Sequence, residues 1–412
     1  MDTPPRPADV NYDESRIAPF DLPESLRCQD GSAVLSAAQW FEKRRPELLS
    51  LFKTHIYGRV PARCSLTTLA RRSDSLALSG MATRYELDIR LCSEHDGARE
   101  LDFRVALWVP NDISEPVPAF VGLNFFGNHS VHADPGLQLA RGWLPNRAEY
   151  HLVEHTATEA SRGCQSECWP LSLIVSRGYA FATAYAGDWH PDHPDGFRSG
   201  AQALFLDPGT RPAADEWGAI GAWAWGLSHL LDALEQVPAV NAKRVAVVGH
   251  SRLGKAALWA GALDERFAMA ISNQSGRGGA ALSRRRFGEL TRDLNRRFPH
   301  WFCANFRRYD DREAELPVDQ HQLLALLAPR PVYVASAALD LWADPKGEYL
   351  ACQHADEVYR LLGKGGLSVT TPEPVIGDSL GDTIGYHRRD GAHDITRVDW
   401  AHYLAFADRH FR

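Results

Sequence analysis

The sequence predicts an α/β fold, a mostly parallel central sheet with helices on both faces. Three observations predict it. Short uninterrupted apolar runs, such as Ala180-Phe181-Ala182-Thr183-Ala184-Tyr185 and Val245-Ala246-Val247-Val248, have the composition of strands buried on both sides. Longer helical stretches separate them, as the crossovers between parallel strands require. Two alternating runs near the start, residues 84–91 and 101–109 with Asp96-Gly97 between them, read instead as an antiparallel hairpin.

Residues 1–10 are proline-rich and polar and are expected to form an unstructured lead. Ser36-Ala37-Ala38-Gln39 has capping-box form, and Trp40, Phe41, Leu48, Leu49, Leu51 and Phe52 behind it suit one amphipathic helix. After the hairpin come apolar strands at 119–123 and 180–185, a long helix over 217–234, and the 245–248 strand. Further buried strands are expected at 267–271 and 332–335, and helices over 347–362 and 398–410. Residues 1–412 read as a single domain with long loops at 125–170 and 186–215, a length that in a compact enzyme usually shapes the active site.

Composition narrows the function classes. Lys+Arg number 45 against Asp+Glu 52, a net charge of −7, so no basic excess points to nucleic acid or an anionic membrane as partner. No apolar window of about 18 residues predicts a transmembrane helix. The start, Met1-Asp2-Thr3-Pro4-Pro5-Arg6-Pro7, lacks the basic-then-apolar form of a secretory signal. Seven scattered cysteines are not a disulfide framework. Cys164 and Cys168 have the spacing of a local bridge or half a zinc site, but no second half exists. The 12 tryptophans offer flat surface for stacking on sugar rings besides their ordinary use in cores.

The chemistry centres on Gly249-His250-Ser251-Arg252-Leu253-Gly254, between the 245–248 strand and the helical run Lys255-Ala256-Ala257-Leu258-Trp259-Ala260. A serine on a glycine-flanked strand-to-helix turn is how α/β-hydrolases, three-layer αβα sandwiches, expose a nucleophile. The second glycine comes one residue later than in G-x-S-x-G, and an arginine follows the serine. An ordinary strand-to-helix turn has the same skeleton, so the partners must decide. A serine hydroxyl needs a histidine to take its proton and an acid to orient that histidine, in the chain order Ser, acid, His. Asp340 follows the 332–335 strand, and His393 lies in the Gly-containing loop before the last helix. Asp344, before Pro345, also fits a turn or cap. His387 is the rival base, and Asp394 an alternative surface partner. Order and loop placement favour Ser251, Asp340 and His393.

Two further segments carry candidate chemistry. Asp188-Trp189-His190-Pro191-Asp192-His193-Pro194-Asp195 holds metal-type ligands, but its prolines and lack of helical His spacing indicate a loop near the site mouth. No metal and no cofactor are expected. Asn124-Phe125-Phe126-Gly127-Asn128 sits where such hydrolases supply an oxyanion amide, or simply closes a strand.

These residues resemble the bacterial branch of the glucuronoyl esterases, carbohydrate esterase family 15. The match rests on Gly249-His250-Ser251-Arg252-Leu253-Gly254-Lys255, Ser272-Asn273-Gln274-Ser275-Gly276, Gly278-Gly279-Ala280-Ala281-Leu282-Ser283-Arg284-Arg285, Asp340-Leu341-Trp342-Ala343-Asp344-Pro345-Lys346-Gly347-Glu348 and the His393 loop. Tyr12-Asp13-Glu14-Ser15, Arg44-Arg45-Pro46-Glu47 and Ile56-Tyr57-Gly58 extend it nearly end to end. The resemblance implies a serine esterase that cleaves esters between 4-O-methyl-glucuronate on glucuronoxylan and lignin alcohols through an acyl-enzyme. Arg252 is then expected to help stabilise the oxyanion. Lys255, Glu289 and Trp342 match residues that contact the sugar. Where many relatives carry a glutamate as the triad acid, this chain has Gln274, which leaves the acid to Asp340 and makes Gln274 at most a neutral, substrate-side hydrogen-bonding group. The resemblance also implies a secreted or periplasmic protein, and a monomer is expected. Other carbohydrate ester hydrolysis (acetyl-xylan or uronate methyl esters) and a carbohydrate-binding pseudoenzyme are the competing readings.

Overall fold

The structure is a computed structural model that describes residues 10–62, 64–93, 99–367 and 373–412. The expected lead (residues 1–9 of it) and the Asp96-Gly97 turn lie outside the described residues. Ten strands form one sheet: β1 (Ser65–Ala77), β2 (Ala82–Cys92), β3 (Glu100–Pro110), β4 (Val117–Asn124), β5 (Ala180–Tyr185), β6 (Val240–His250), β7 (Met269–Asn273), β8 (Val332–Ala337), β9 (Ser379–Leu380) and β10 (Ile384–Arg389). Their order is β1-β2-β3-β5-β4-β6-β7-β8-β10-β9. The block β5-β4-β6-β7-β8-β10 is parallel, and β1, β2 and β3 extend it antiparallel at one edge.

The parallel strands are apolar throughout because successive side chains enter two different cores. On β6, Val245 and Val247 join one core while Ala246 and Val248 join the other. The first core takes the helices Ala219–Glu235, Arg252–Leu263 and Pro345–Leu361 through residues such as Trp223, Trp259 and Tyr349. The second takes Leu171–Ser176 and Arg397–Phe411 through Ile174, Trp400 and Tyr403. The three layers expected of an αβα sandwich are therefore present.

Two differences from the sequence reading stand out. The helix behind Ser36 is not one regular cylinder. Its α-helical segments Ala37–Gln39 and Arg45–Phe52 alternate with π-helical turns at Trp40–Arg44 and Lys53–Tyr57, and those wider turns bury Trp40, Arg44, Ile56 and Tyr57. Strands β1 and β10 were not expected. β1 is an exposed edge strand rich in polar residues, and β10 ends in His387-Arg388-Arg389, so neither shows the apolar run of its neighbours. Among the described residues no helix is long and apolar enough to cross a membrane.

Parallel strands point their carboxyl ends the same way, so the loops after β4, β5, β6, β7 and β8 gather at one end of the sheet, where ligands of open α/β sheets bind. Ser251, Gln274 and Asp340 stand on those loops.

Candidate active site

Ser251 occupies the turn between β6 and the helix Arg252–Leu263 with φ 57° and ψ −129°. That left-handed backbone is strained for a residue with a side chain. The flanking glycines have separate reasons. A Cβ on Gly249 would stand 2.0 Å from the Leu253 carbonyl oxygen, so no side chain fits. A Cβ on Gly254 would meet the Gly249 oxygen at 3.0 Å and Ser275 Cβ at 3.1 Å. The second glycine is late because Leu253 is committed to the core, and the tight approach falls one residue further on.

His393 and Asp340 meet. His393 Nδ1 donates to Asp340 Oδ2 over 2.6 Å, and Asp340 is only 3% exposed. The second Asp340 oxygen accepts the Ala343 N–H at 3.4 Å, which fixes the carboxylate above the short 3₁₀ turn Leu341–Ala343. The loop that carries His393 is held from two sides. Arg389 donates to the carbonyls of Asp390, Ala392 and Asp394, and its Nε is paired with Asp399 at 3.0 Å. Gln274 Nε2 donates to the Asp394 carbonyl at 2.7 Å and its Oε1 accepts the Asp394 N–H at 3.0 Å. Both ends of its buried amide are thus used on the backbone beside His393.

The rival residues have other places. His387 is fully buried on β10, bonded to Tyr333 and Asp399. Asp344 caps the helix Pro345–Leu361 through the Gly347 N–H and takes Arg285 on both oxygens at 3.0 Å. Burial pushes its carboxyl up to about 6. Asp394 caps its own loop at Ile395 N. Cys164 and Cys168 are free thiols. His250 packs its ring 4.6 Å from that of His393. Burial holds His250 well below the ordinary histidine range, so it stays neutral and does not oppose a positive charge on His393.

Arg252 points away from its helix axis into a built cradle. Its Nε pairs with Asp192 Oδ2 at 2.8 Å, and its guanidinium carbon lies 4.6 Å from the Phe125 ring centre and 5.7 Å from that of Trp301. Its two terminal nitrogens make no hydrogen bond among the described residues. Asp192 also accepts from His300 Nε2 at 2.7 Å and Trp301 Nε1 at 2.8 Å. Burial would raise its carboxyl, but the Arg252 charge and the His300 hydrogen bond outweigh that and hold it well below the usual carboxylate range. In the sequence Asp192 is legible only as one of the metal-type ligands of a loop near the site mouth; its service to Arg252 and the place of Trp301 are not. The only available signal was an arginine placed by motif beside a long loop rich in acids. The segment after β4 is used here too: Asn124 ties to Asn128 and Thr183, and Phe125 gives Arg252 its platform.

Lys255, Glu289 and Trp342 come together. Trp342 Nε1 donates to Glu289 Oε1 at 3.0 Å, and Lys255 Nζ lies 3.9 Å from Glu289 Oε2. Lys255 Nζ also donates to the carbonyls of Ser275 and Arg277, both at 2.5 Å. Burial pulls the Lys255 ammonium down and pushes the Glu289 carboxyl up, and the charge of each partner offsets part of that. Arg297 covers Trp342 at 5.2 Å. Trp301 joins this group to the arginine, since Lys255 Nζ is 5.9 Å from its ring. Beneath them Glu348 is fully buried. It accepts the Gly276 N–H at 2.9 Å and bonds Ser336 at 2.6 Å, and burial pushes its carboxyl up to about 8.

The arrangement offers a half-buried serine on a forced turn, an imidazole oriented by a buried carboxylate, a fixed positive group, and a neighbouring polar pocket with an aromatic wall. Comparisons with known proteins point the same way. Residues 212–363 match the family model described as glucuronyl esterase, fungi. The chain is 46% identical over 408 residues to the carbohydrate esterase MZ0003 of an unknown prokaryotic organism, covering 98% of this chain and 93% of that one. It is similar to the solved structure of a promiscuous CE15 esterase from a marine bacterial metagenome, with TM-score 0.90 and 45% identity over 98% of this chain and 100% of that one. The glucuronoyl esterase of Solibacter usitatus is similar as well, with TM-score 0.89 and 42% identity over 97% of this chain and 100% of the other.

Proposed function

The chain belongs to carbohydrate esterase family 15, and from that premise we propose that it is a serine esterase that hydrolyses the ester between 4-O-methyl-glucuronate of glucuronoxylan and an alcohol of lignin. The 2.6 Å bond between His393 and buried Asp340, beside the turn of Ser251, carries the reading.

Because His393 Nδ1 holds its proton toward Asp340, Nε2 is the free base. It takes the Ser251 hydroxyl proton as Oγ attacks the C6 carbonyl of the uronate. The carbonyl oxygen becomes negative. The terminal nitrogens of Arg252 and the N-terminus of its helix are the positive groups at hand for it. His393 then gives its proton to the leaving alcohol, and an acyl-enzyme remains on Ser251. Water, deprotonated by His393, attacks the acyl carbon, and the serine leaves with the proton returned. Asp340 stays ionised throughout and stabilises the imidazolium. Lys255 and Glu289 are suited to sugar hydroxyls, one as donor and one as acceptor, with Trp342 as the ring beside them. A polysaccharide substrate of this kind supports a secreted or periplasmic setting.

The test is turnover of benzyl glucuronate ester, acetylated xylan and methyl galacturonate by wild type and Ser251→Ala. Serine-dependent turnover that favours the glucuronate ester is expected. Preference for acetyl groups or galacturonate would move the substrate class, and no serine-dependent turnover of any ester would leave only a carbohydrate binder.

A further inference from the structure

A second groove lies at the same end of the sheet as Ser251. Its volume is about 210 Å³, and its walls include Asp88, Arg104, Gln138, Arg141, Tyr185 and Asp188. The sheet register relates it to the active site. Asp88 on β2 faces Arg104 on β3, and Val105 pairs with Ala184, which brings Arg104 level with Tyr185. Tyr185 pairs with Asn124. The pairing of Val121 with Val247 sets Asn124 level with His250, the residue before the nucleophile. Arg104 and His250 are thus in one row across the sheet, three strand spacings apart, or about 14 Å.

Two of the three acids that line the groove are already taken by arginines, which also pair with Glu100 and Glu86. Asp102 is used by Arg90 on both oxygens, at 2.7 and 2.8 Å. Asp88 serves two arginines, Arg104 Nε at 2.6 Å and Arg72 at 2.8 Å. Arg104 is bonded to Asp88 through its Nε, and its terminal nitrogens make no hydrogen bond among the described residues. Arg141, exposed on the rim, has no side-chain partner among the described residues, nor has the amide of Gln138. On the floor stands Asp188, whose carboxyl burial pushes up to about 7 against the opposing charge of Arg104. Two guanidinium groups with free donors face a space where the remaining acid is not firmly ionised. Guanidinium forks recognise carboxylates bidentately.

We propose that this groove is a second subsite that binds a carboxylate-bearing sugar, an unesterified uronate on the same polysaccharide whose esterified uronate is at Ser251. The proposal rests on the glucuronoxylan reading for its choice of ligand. It makes the enzyme read two acidic substituents of one chain, one as ester and one as anion, with the row from Arg104 to His250 setting their separation.

The experiment has a binding arm and a kinetic arm. In Ser251→Ala, calorimetry compares a xylo-oligosaccharide carrying free glucuronate, the neutral oligosaccharide of equal length, and sodium acetate. The acidic oligosaccharide should bind, more weakly as salt rises, and Arg141→Ala in that background should weaken it about tenfold, the loss of one charge-assisted contact. In the active enzyme, Arg141→Ala should lower kcat/KM for the esterified acidic polymer relative to benzyl glucuronate ester by a similar factor, and Arg141→Lys should restore part of it. Equal binding of the neutral and acidic oligosaccharides, acetate binding as tight as the oligosaccharide, or an unchanged polymer-to-small-ester ratio would each overturn the subsite. Absence of glucuronate ester turnover in wild type would defeat the parent reading instead, and the binding arm would still give its own answer.

Discussion

Two carboxylates hold the two working cations of this site, and they do so differently. Asp340 serves one histidine through one short bond and is oriented by its own turn. Asp192 serves three donors at once, Arg252, His300 and Trp301, and comes from the middle of a long loop. The first must stabilise a charge that appears during reaction. The second fixes a charge that is permanent. A transient charge needs a partner at one ring nitrogen, whereas a permanent one needs to be aimed, and three contacts aim better than one.

The largest effect is expected for Asp340→Asn, which keeps the shape but favours the wrong tautomer of His393. It should lower kcat by about 10⁴-fold with little change in KM, measured on benzyl glucuronate ester. Near-normal turnover would remove Asp340 from the acid role. Asp192→Asn should cost less, about 10²-fold in kcat/KM, because Arg252 remains but is no longer aimed. Arg252→Ala should cost at least as much, and the double variant little more than Arg252→Ala alone, since both act through one guanidinium. Additive losses would show that Asp192 acts by another route. The Asp192 carboxyl is depressed, so the stability it contributes is complete above the unfolded value of about 3.9 and is lost only as pH falls through its still lower folded value. The Asp192 carboxyl should therefore contribute no titration to activity between about pH 5 and 8.

Smaller effects sharpen the picture. Gln274→Ala removes two neutral hydrogen bonds to the His393 loop and should cost about tenfold in kcat, well short of Asp340→Asn. Glu348 provides the opposite sign of linkage to Asp192. Its carboxyl is raised to about 8, so the folded protein keeps a proton that the unfolded chain loses near about 4.3. Stability contributed by this group falls as pH rises from about 4.3 to 8 and is level above that. Glu348→Gln copies the neutral acid, so its melting temperature relative to wild type should improve by a few degrees between pH 5 and pH 8. A difference that is the same at both pH values would mean that the acid is already ionised at pH 5.

Much of this was legible in the sequence because topology does the placing. The apolar runs of β4 to β8 announce burial on both faces, and the order Ser251, Asp340, His393 follows from which strand each residue succeeds. Lys255, Glu289 and Trp342 were found together only through the family resemblance, since their meeting brings together a helix and two separate loop segments. The places of Asp192 and Trp301 around Arg252 were illegible for a related reason. Loops 186–215 and 298–302 carry no period, and nothing in either one shows that both fold back onto Arg252. Gln274 was visible as a departure, but its use was not. An amide that bonds backbone on both sides leaves no pattern in composition.

The turn at Ser251 has a consequence for heat resistance. A serine held at φ 57° contributes its hydroxyl to catalysis while costing the fold about 1 kcal/mol or more in backbone strain. Glycine has no such penalty there. Ser251→Gly should therefore be inert toward every ester yet melt at a higher temperature than the enzyme it came from.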